Sequence, residues 1–210
     1  YNYYFVQNGD FDSNRMCKYV RPLGLGLVTN KEIKEKLLGK IVELNNKRNY
    51  KIGTGFLSTP FFLSLMTEAG YSDEGFKTMM NPDFGWGQQI RNGATTIWEN
   101  WTDDASLNHY SKGACCQWIF DTVCGIKLDG RNNHFVIEPN VLAEVDSICF
   151  SYKSVYGTVT SGWFHDGESV VYNITIPANC QAEVVIPGLD DMSLSAGKYT
   201  FQLGKKELYS

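Results

Sequence analysis

The sequence predicts a multi-domain α and β chain, in which a stack of α-helical hairpins is followed by an antiparallel β-sandwich. Apolar residues recur with a helical period between residues 29 and 124. After Gly125 the pattern changes to the alternation that is typical of half-buried strands. We therefore expect two domains, residues 1–128 and residues 129–210. The helices carry more apolar surface than they can bury among themselves, which predicts further helical partners upstream.

The helical part contains four segments with recognisable start or stop signals. The first begins at a capping box formed by Thr29 and Glu32. The second follows a glycine-bearing loop, with Thr59 as the N-cap and Pro60 at the first helical position. The remaining predictions are a short helix capped by Ser72, a turn-rich segment at residues 83–92, the longest helix at residues 104–124, and a helix remnant within residues 1–28.

The second part has the pattern of a sandwich of about six to eight strands. Val170, Tyr172 and Ile174 alternate with more polar residues, and Asp166-Gly167 is a hairpin turn signal before them. The strands that we expect are residues 147–152, 158–164, 170–176, 181–186 and 198–203.

Composition excludes several classes of function. The formal charge of −4 and a pI near 5.4 argue against a nucleic-acid partner. No stretch reaches the roughly 18 apolar residues of a membrane helix, so we expect no membrane partner either. The six cysteines lack the spacing of a metal site and are interpreted as buried free thiols, and His134 and His165 as surface residues. We therefore expect no metal and no cofactor.

The candidate site is the segment at residues 93–101, which reads GATTIWENW and sets one carboxylate, Glu99, between Trp98 and Trp101. Apolar neighbours disfavour the ionised form of a carboxyl group, and such acids are frequent in active sites. A partly exposed acid near a helix start is the alternative interpretation. From these residues alone, both interpretations stay open.

Three motifs resemble glycoside hydrolase family 78, the α-L-rhamnosidases. GATTIWENW is followed at residues 106–114 by SLNHYSKGA, and the upstream segment at residues 54–60 reads TGFLSTP. Downstream, residues 174–187 with two Ile-Pro pairs resemble the C-terminal sandwich of that family. The resemblance covers essentially the whole chain and implies the last part of an (α/α)6 toroid followed by that sandwich.

The resemblance also implies roles for single residues. Glu99 matches the proposed general base, and His109 matches the histidine that contacts the bound rhamnose. The general acid belongs to an earlier motif that this chain does not contain. The implied protein is an inverting hydrolase of terminal α-L-rhamnosides. Its expected partners are rhamnose-containing glycosides or polysaccharides and the N-terminal part of the same polypeptide.

Other interpretations stay open beside these. Trp98 and Trp101 can be packing residues or sugar platforms, and Trp86, in the turn-rich segment, can line the sugar cleft. Asp103 and Asp104 most simply cap the next helix, with a carboxylate dyad beside Glu99 as the alternative. At the level of the protein, the alternatives are an inverting toroid glycosidase for another sugar, a non-catalytic carbohydrate-binding module, and a sandwich that only braces the toroid.

Overall fold

The computed structural model describes residues 13–128, 130 and 133–206, so the expectation for residues 1–12 lies outside the described residues. The backbone contacts divide the chain into two compact units, Tyr1–Cys116 and Gln117–Ser210. The domain boundary that the sequence suggests, between residues 128 and 129, stays a prediction.

The first unit is helical. Its longest helix, α2, follows Asn30, whose side-chain oxygen accepts a hydrogen bond from the Ile33 amide at 3.0 Å. The predicted N-cap at Thr29 is therefore wrong by one residue, because asparagine also caps helices well. The prediction that Thr59 caps the next helix is wrong in the same way, since Thr59 is its first residue. The helices are α1 (Cys17–Gly24), α2 (Lys31–Lys47), α3 (Thr59–Glu68), α4 (Ser72–Met79), α5 (Trp86–Arg91) and α6 (Ala114–Trp118).

Helix α3 lies at the centre of this unit, in contact with α1, α2 and α4. Its sequence is apolar on most sides, and Phe62 and Met66 have no exposed surface. A buried polar link joins α2 to α4, because the Asn45 side-chain amide donates to the Thr78 hydroxyl at 2.9 Å. The apolar helix faces thus produce the core, and one satisfied polar pair fixes how two of them meet.

The helix predicted at residues 104–124 is shorter than expected. Residues 101–109 form an irregular loop, and helical structure begins with a 3-10 turn at Tyr110–Gly113, followed by α6 and a π-helical turn at Ile119–Val123. Asp104 accepts hydrogen bonds from Thr102 Oγ1 at 2.6 Å and from Asn100 Nδ2 at 3.1 Å. These local bonds compete with helix formation, so Asp104 stabilises the loop and caps no helix.

Helix α5 lies in the segment predicted to be only turn-rich. Its second residue, Gly87, approaches the end of α4 so closely that a Cβ there would lie 2.4 Å from the Met80 carbonyl oxygen and 2.5 Å from that of Asn81. Only glycine allows this approach. Since Trp86 precedes Gly87, the contact also fixes where the Trp86 indole enters the unit.

The second unit is a six-stranded sheet with the strand order β1-β2-β5-β4-β3, to which β6 is added by pairing with β5. All neighbours are antiparallel except β2 and β5, which are parallel. The predicted sandwich is confirmed, with this parallel pair as the departure from a purely antiparallel sheet. The strands are β1 (Ile126–Leu128), β2 (His134–Ile137), β3 (Ser147–Ser154), β4 (Gly157–Asp166), β5 (Ser169–Val184) and β6 (Met192–Gly204).

Strand β5 serves both halves of this sheet because it is interrupted. Its first half pairs with β4 and its second half with β2, and the register shifts between Ile176 and Gln181. Pro177 offers no amide to a ladder, and Asn179 has a φ of 62°. Two strands predicted from the sequence, at residues 170–176 and 181–186, are therefore two halves of one.

Two polar side chains of the second unit, Trp163 and His134, have identified partners. Trp163 Nε1 donates to the Val123 carbonyl at 2.9 Å, which satisfies a carbonyl of the π-helical turn. His134 is buried, with Nε2 3.7 Å from Glu183 Oε1, so its prediction as a surface residue is wrong.

The predicted free thiols are confirmed for all six cysteines, although three are not buried: Cys17, Cys116 and Cys149. Among the described helices, none is long and apolar enough to cross a membrane.

Candidate active site

Hydrogen bonds connect the segment that carries Glu99 to the segment that carries His109. The Glu99 amide donates to the Ser106 carbonyl at 2.8 Å, and the His109 amide donates to the Ile97 carbonyl at 2.7 Å. Thr96 Oγ1 donates to the Leu107 carbonyl beside them. Glu99 and His109 therefore lie on paired segments of one loop, although ten residues of sequence separate them. Both side chains are half-buried, so each is partly accessible.

A buried glutamine in α5 forms hydrogen bonds with the backbone of this loop. Gln89 is nearly inaccessible to solvent, and its Nε2 donates to the Asn100 carbonyl at 2.9 Å. Its Oε1 accepts from the Trp98 amide at 3.4 Å. The side chain thus contacts the backbone on both sides of Glu99. Since a buried amide left without partners costs free energy, Gln89 restricts the loop to one conformation.

Two of the predicted tryptophans form a pair under the loop. Trp86 and Trp101 pack edge to face, with ring centroids 5.1 Å apart and an interplanar angle of 79°. The Phe84 ring also contacts the Trp101 indole, with ring centroids 6.2 Å apart. Trp86 is only 4 % exposed, and its Nε1 donates to the Lys112 carbonyl at 2.9 Å. The pair therefore connects α5, the loop and the 3-10 turn.

The TGFLSTP segment supplies the anchor for Trp101. The Thr54 carbonyl accepts a hydrogen bond from Trp101 Nε1 at 3.3 Å. The hydroxyls of Thr54 and Thr59 are 2.9 Å apart, and Thr59 Oγ1 also donates to the Gly55 carbonyl at 3.0 Å. These bonds keep the segment compact, so the Trp101 indole is held at both its nitrogen and its ring.

A cation lies on the face of this indole. Lys112 Nζ is 3.8 Å from the centroid of the Trp101 ring, and the lysine is only 3 % exposed. Burial lowers the pKa of Lys112 from its ordinary 10.5 to about 8, and the negative charge of Glu99 raises it. The ammonium is thus charged at neutral pH and interacts electrostatically with the candidate base.

His109 lies in an aromatic cluster at the surface of the loop. Its ring is stacked with that of Tyr110 at 5.4 Å and meets Phe56 edge-on at 6.0 Å. The Ser111 hydroxyl is 3.1 Å from His109 Nδ1 and fixes the ring by that nitrogen. Tyr110 is 88 % exposed and Phe56 52 % exposed. Apolar ring faces beside an imidazole are a surface on which a sugar ring can rest.

The five residues predicted for the site lie in one unit but in different positions. Glu99, His109 and Trp101 are half-buried, whereas Trp98 and Trp86 are buried at 7 % and 4 % exposure. Their burial gives Trp98 and Trp86 a supporting position, and their direct contact with a substrate stays a prediction. Asp104 is fully exposed, and hydrogen bonds from Thr102 and then Asn100 lower its pKa.

Two residues of the site were not expected from the sequence. Lys112 lies two residues after the SLNHY motif, and a lone lysine beside small residues was the signal that could have identified it. Gln89 gives no such signal, because its partners Trp98 and Asn100 are about ten residues away. Among the described residues, no group of three histidine, cysteine, aspartate or glutamate side chains could hold a metal ion.

Family models account for most of the chain. The model of the bacterial α-L-rhamnosidase six-hairpin glycosidase domain matches residues 1–123, and that of the bacterial α-L-rhamnosidase C-terminal domain matches residues 132–201. Among curated relatives, an α-L-rhamnosidase of Formosa agariphila is 32% identical over 219 residues, which cover 96% of this chain and 23% of the relative. One from Streptomyces avermitilis is 29% identical over 198 residues, covering 88% of this chain and 19% of the relative.

Solved structures share the fold. The native α-L-rhamnosidase of Aspergillus terreus superposes with a TM-score of 0.89 at 21% identity, covering 96% of this chain and 25% of that one. The Streptomyces avermitilis α-L-rhamnosidase, solved in complex with L-rhamnose, superposes with a TM-score of 0.87 at 24% identity, covering 96% and 23%. Helical hairpins followed by a β-sandwich define the class as that of the six-hairpin glycosidases.

Within that class, the chain belongs to the bacterial α-L-rhamnosidase family. The resemblance that the sequence motifs suggest is thereby confirmed. The chain spans about a fifth to a quarter of the length of the relatives and structures that it matches.

The contacts of Gln89 generate a test that needs no activity. We expect Gln89→Leu to raise the rate of hydrogen exchange at the Trp98 and Glu99 amides about five- to thirtyfold, since the loop loses two bonds of about 1–2 kcal/mol in all. Exchange is measured by NMR or mass spectrometry.

The matched control for this test is Gln88→Leu, on the same helix, which should leave those amides unchanged. Equal rates of hydrogen exchange at these amides in both variants would contradict the role of Gln89 in holding the loop.

Proposed function

We propose that this chain is the C-terminal part of an inverting α-L-rhamnosidase and that it contributes the general base, Glu99. The observation that carries the proposal is that both rhamnosidase family models match in order, with Glu99 in the loop of the helical unit. The proposed general acid lies in a part of the enzyme outside this chain. We assign the substrate class as terminal α-L-rhamnosides, in glycosides or polysaccharides, because the relatives carry the name α-L-rhamnosidase.

The proposed chemistry follows from the needs of inversion. One carboxylic acid protonates the leaving oxygen, while a carboxylate on the opposite face of the sugar takes a proton from water. The two carboxyl groups lie roughly 6.5–9.5 Å apart, which leaves room for that water. A base must be ionised and within hydrogen-bond reach of that water. Glu99 is half-buried, so water can reach it.

In the same proposal, His109 contacts the sugar. Its Nδ1 is fixed by Ser111, which leaves the opposite side of the imidazole for a substrate hydroxyl. Phe56 and Tyr110 offer apolar surface next to this ring. Trp101 is the tryptophan of the site with accessible surface, and a sugar contact is proposed for it on the ring surface that Lys112 leaves free.

A first test of this proposed function uses the variant Glu99→Gln in the full-length enzyme that contains this chain. We expect kcat for an aryl α-L-rhamnoside to fall by about 10²–10⁴ with little change in KM, because the variant keeps the shape of the side chain but cannot accept the proton. Steady-state kinetics with matched circular dichroism spectra make the measurement.

Asp103→Asn is the matched control, since Asp103 is an exposed acid of the same loop whose loss removes the same charge. Near-normal turnover by Glu99→Gln would return Glu99 to a structural role. If the unmutated enzyme does not hydrolyse rhamnosides but hydrolyses glycosides of another sugar, the alternative hypothesis is correct, namely an inverting toroid glycosidase for that other sugar.

The second prediction concerns stereochemistry. An inverting enzyme must release β-L-rhamnose first from an α-linked substrate, because water attacks from the face opposite to the leaving group. Proton NMR of the anomeric signals in the first minutes of hydrolysis distinguishes the products. Initial release of the α-anomer would show retention and would remove Glu99 as a base that activates water directly.

A further inference from the structure

Ser111, in the 3-10 turn at Tyr110–Gly113, is a buried serine in hydrogen-bond contact with the histidine that is proposed to bind the sugar. It is 6 % exposed, and its hydroxyl oxygen lies 3.1 Å from His109 Nδ1. Burial of a hydroxyl group is unfavourable unless the group forms a hydrogen bond. The contact therefore links a buried hydroxyl to a half-buried imidazole.

The backbone around Ser111 is fixed on both sides. The 3-10 turn contacts α3, the central helix of the unit. On one side, the Lys112 carbonyl accepts a hydrogen bond from Trp86 Nε1 at 2.9 Å. On the other side, the His109 amide donates to the Ile97 carbonyl at 2.7 Å. The serine hydroxyl and the imidazole are thus held by separate anchors, and their contact does not depend on a mobile turn.

Two aromatic rings restrain the plane of the imidazole but not its orientation within that plane. Tyr110 is stacked on His109 with ring centroids 5.4 Å apart and an interplanar angle of 10°, and Phe56 meets the imidazole edge-on at 6.0 Å. A half-turn of the ring exchanges Nδ1 with a carbon, and apolar contacts do not distinguish these two orientations. The hydrogen bond to Ser111 does distinguish them, because it requires Nδ1 on the buried side.

The same hydrogen bond determines which nitrogen carries the proton. In a neutral imidazole one nitrogen is a donor and the other an acceptor. Among the residues that the structure describes, the Ser111 hydroxyl has no second hydrogen-bond partner. If it accepted from Nδ1, its own proton would be buried without an acceptor, which is costly. If it donates to Nδ1, both groups are satisfied, and the imidazole proton is on Nε2.

The opposite nitrogen of the imidazole is free to meet a ligand. Within the described part of the chain, His109 Nε2 has no hydrogen-bond partner, and it does not belong to the buried polar atoms that lack one. A protonated Nε2 donates to an oxygen of a sugar hydroxyl, whereas an unprotonated one can only accept. The tautomer therefore decides which of the two groups supplies the proton.

We propose that Ser111 is a positioning residue for sugar binding: it donates its hydroxyl proton to His109 Nδ1 and thereby keeps the imidazole proton on Nε2, where it is donated to an oxygen of the sugar. This inference rests on the proposed function, in which His109 contacts the sugar. Ser111 itself does not touch the substrate and acts only through the imidazole.

The binding test is a double-mutant cycle with L-rhamnose in the full-length enzyme, measured by isothermal titration calorimetry. We expect Ser111→Ala to raise the Kd for L-rhamnose about three- to tenfold, because the imidazole loses the bond that fixes its donor. For an aryl α-L-rhamnoside, KM should rise by a similar factor with kcat nearly unchanged. In the His109→Ala background, Ser111→Ala should have no further effect on Kd, because the serine acts only through that ring.

The spectroscopic test determines the tautomer directly. Histidine labelled with ¹³C and ¹⁵N gives imidazole shifts that differ between the two tautomers, and His109→Ala assigns the signals. At about pH 8, well above the ordinary pKa of an imidazole, we expect the proton of His109 on Nε2 in the unmutated enzyme. Ser111→Ala should shift the signals towards a mixture of both tautomers.

Ser72→Ala is the matched control for both measurements. It removes the same hydroxyl group from the same unit, but Ser72 Oγ donates to Thr67 Oγ1 at 3.2 Å and to no residue of the candidate site. Its Kd for L-rhamnose and its His109 signals should equal those of the unmutated enzyme. If Ser111→Ala does not fold, Ser111→Gly also removes the hydroxyl and carries the same expectations.

The outcomes separate this inference from the proposed function. A proton on Nδ1 in the unmutated enzyme overturns the inference, and so does a loss of affinity from Ser111→Ala that persists in the His109→Ala background. If His109→Ala binds L-rhamnose as tightly as the unmutated enzyme does, the sugar contact of the proposed function fails first, whichever nitrogen carries the proton.

Discussion

The ammonium of Lys112 on the face of Trp101 is the interaction on which the candidate site depends. A charge that is almost fully buried needs a rigid environment, and the chain supplies it from distant segments: Trp86 from α5, Trp101 from the loop and Thr54 from the segment before α3. Because each of these contacts also fixes the loop, the arrangement that accommodates the charge is the one that positions Glu99.

This arrangement changes how the aromatic residues around Glu99 are understood. Indoles beside an acid suggest a sugar platform or an apolar pocket, yet Trp86 is buried and one face of Trp101 holds a cation. Among the rings of the candidate site, those with the most exposed surface are instead Phe56 and Tyr110, which both contact His109. The candidate site thus divides into a buried part, where Trp86, Trp101 and Lys112 contact one another, and an exposed aromatic part around His109.

The sequence predicted what depends on local pattern. The helix at Lys31–Lys47, the stop near Gly125 and the hairpin at Asp166-Gly167 follow from neighbouring residues alone, and the motifs identified the family. Residues 104–109 of the loop were predicted as helix because the apolar spacing that begins there is helical, whereas side-chain bonds to Asp104 stabilise an irregular backbone. Gln89 and Lys112 went unnoticed for a related reason: each acts on partners that only the fold brings near.

The most direct test of this account is the titration of the Lys112 side chain, followed by NMR at its Cε in the full chain and assigned with Lys112→Arg. The account predicts a midpoint near pH 8 in place of the ordinary 10.5. It also predicts a lower midpoint in Glu99→Gln, because the carboxylate that stabilises the ammonium is gone. A midpoint at the ordinary value that does not respond to Glu99→Gln would show that Lys112 is solvated and uncoupled from Glu99. The central claim would then be contradicted.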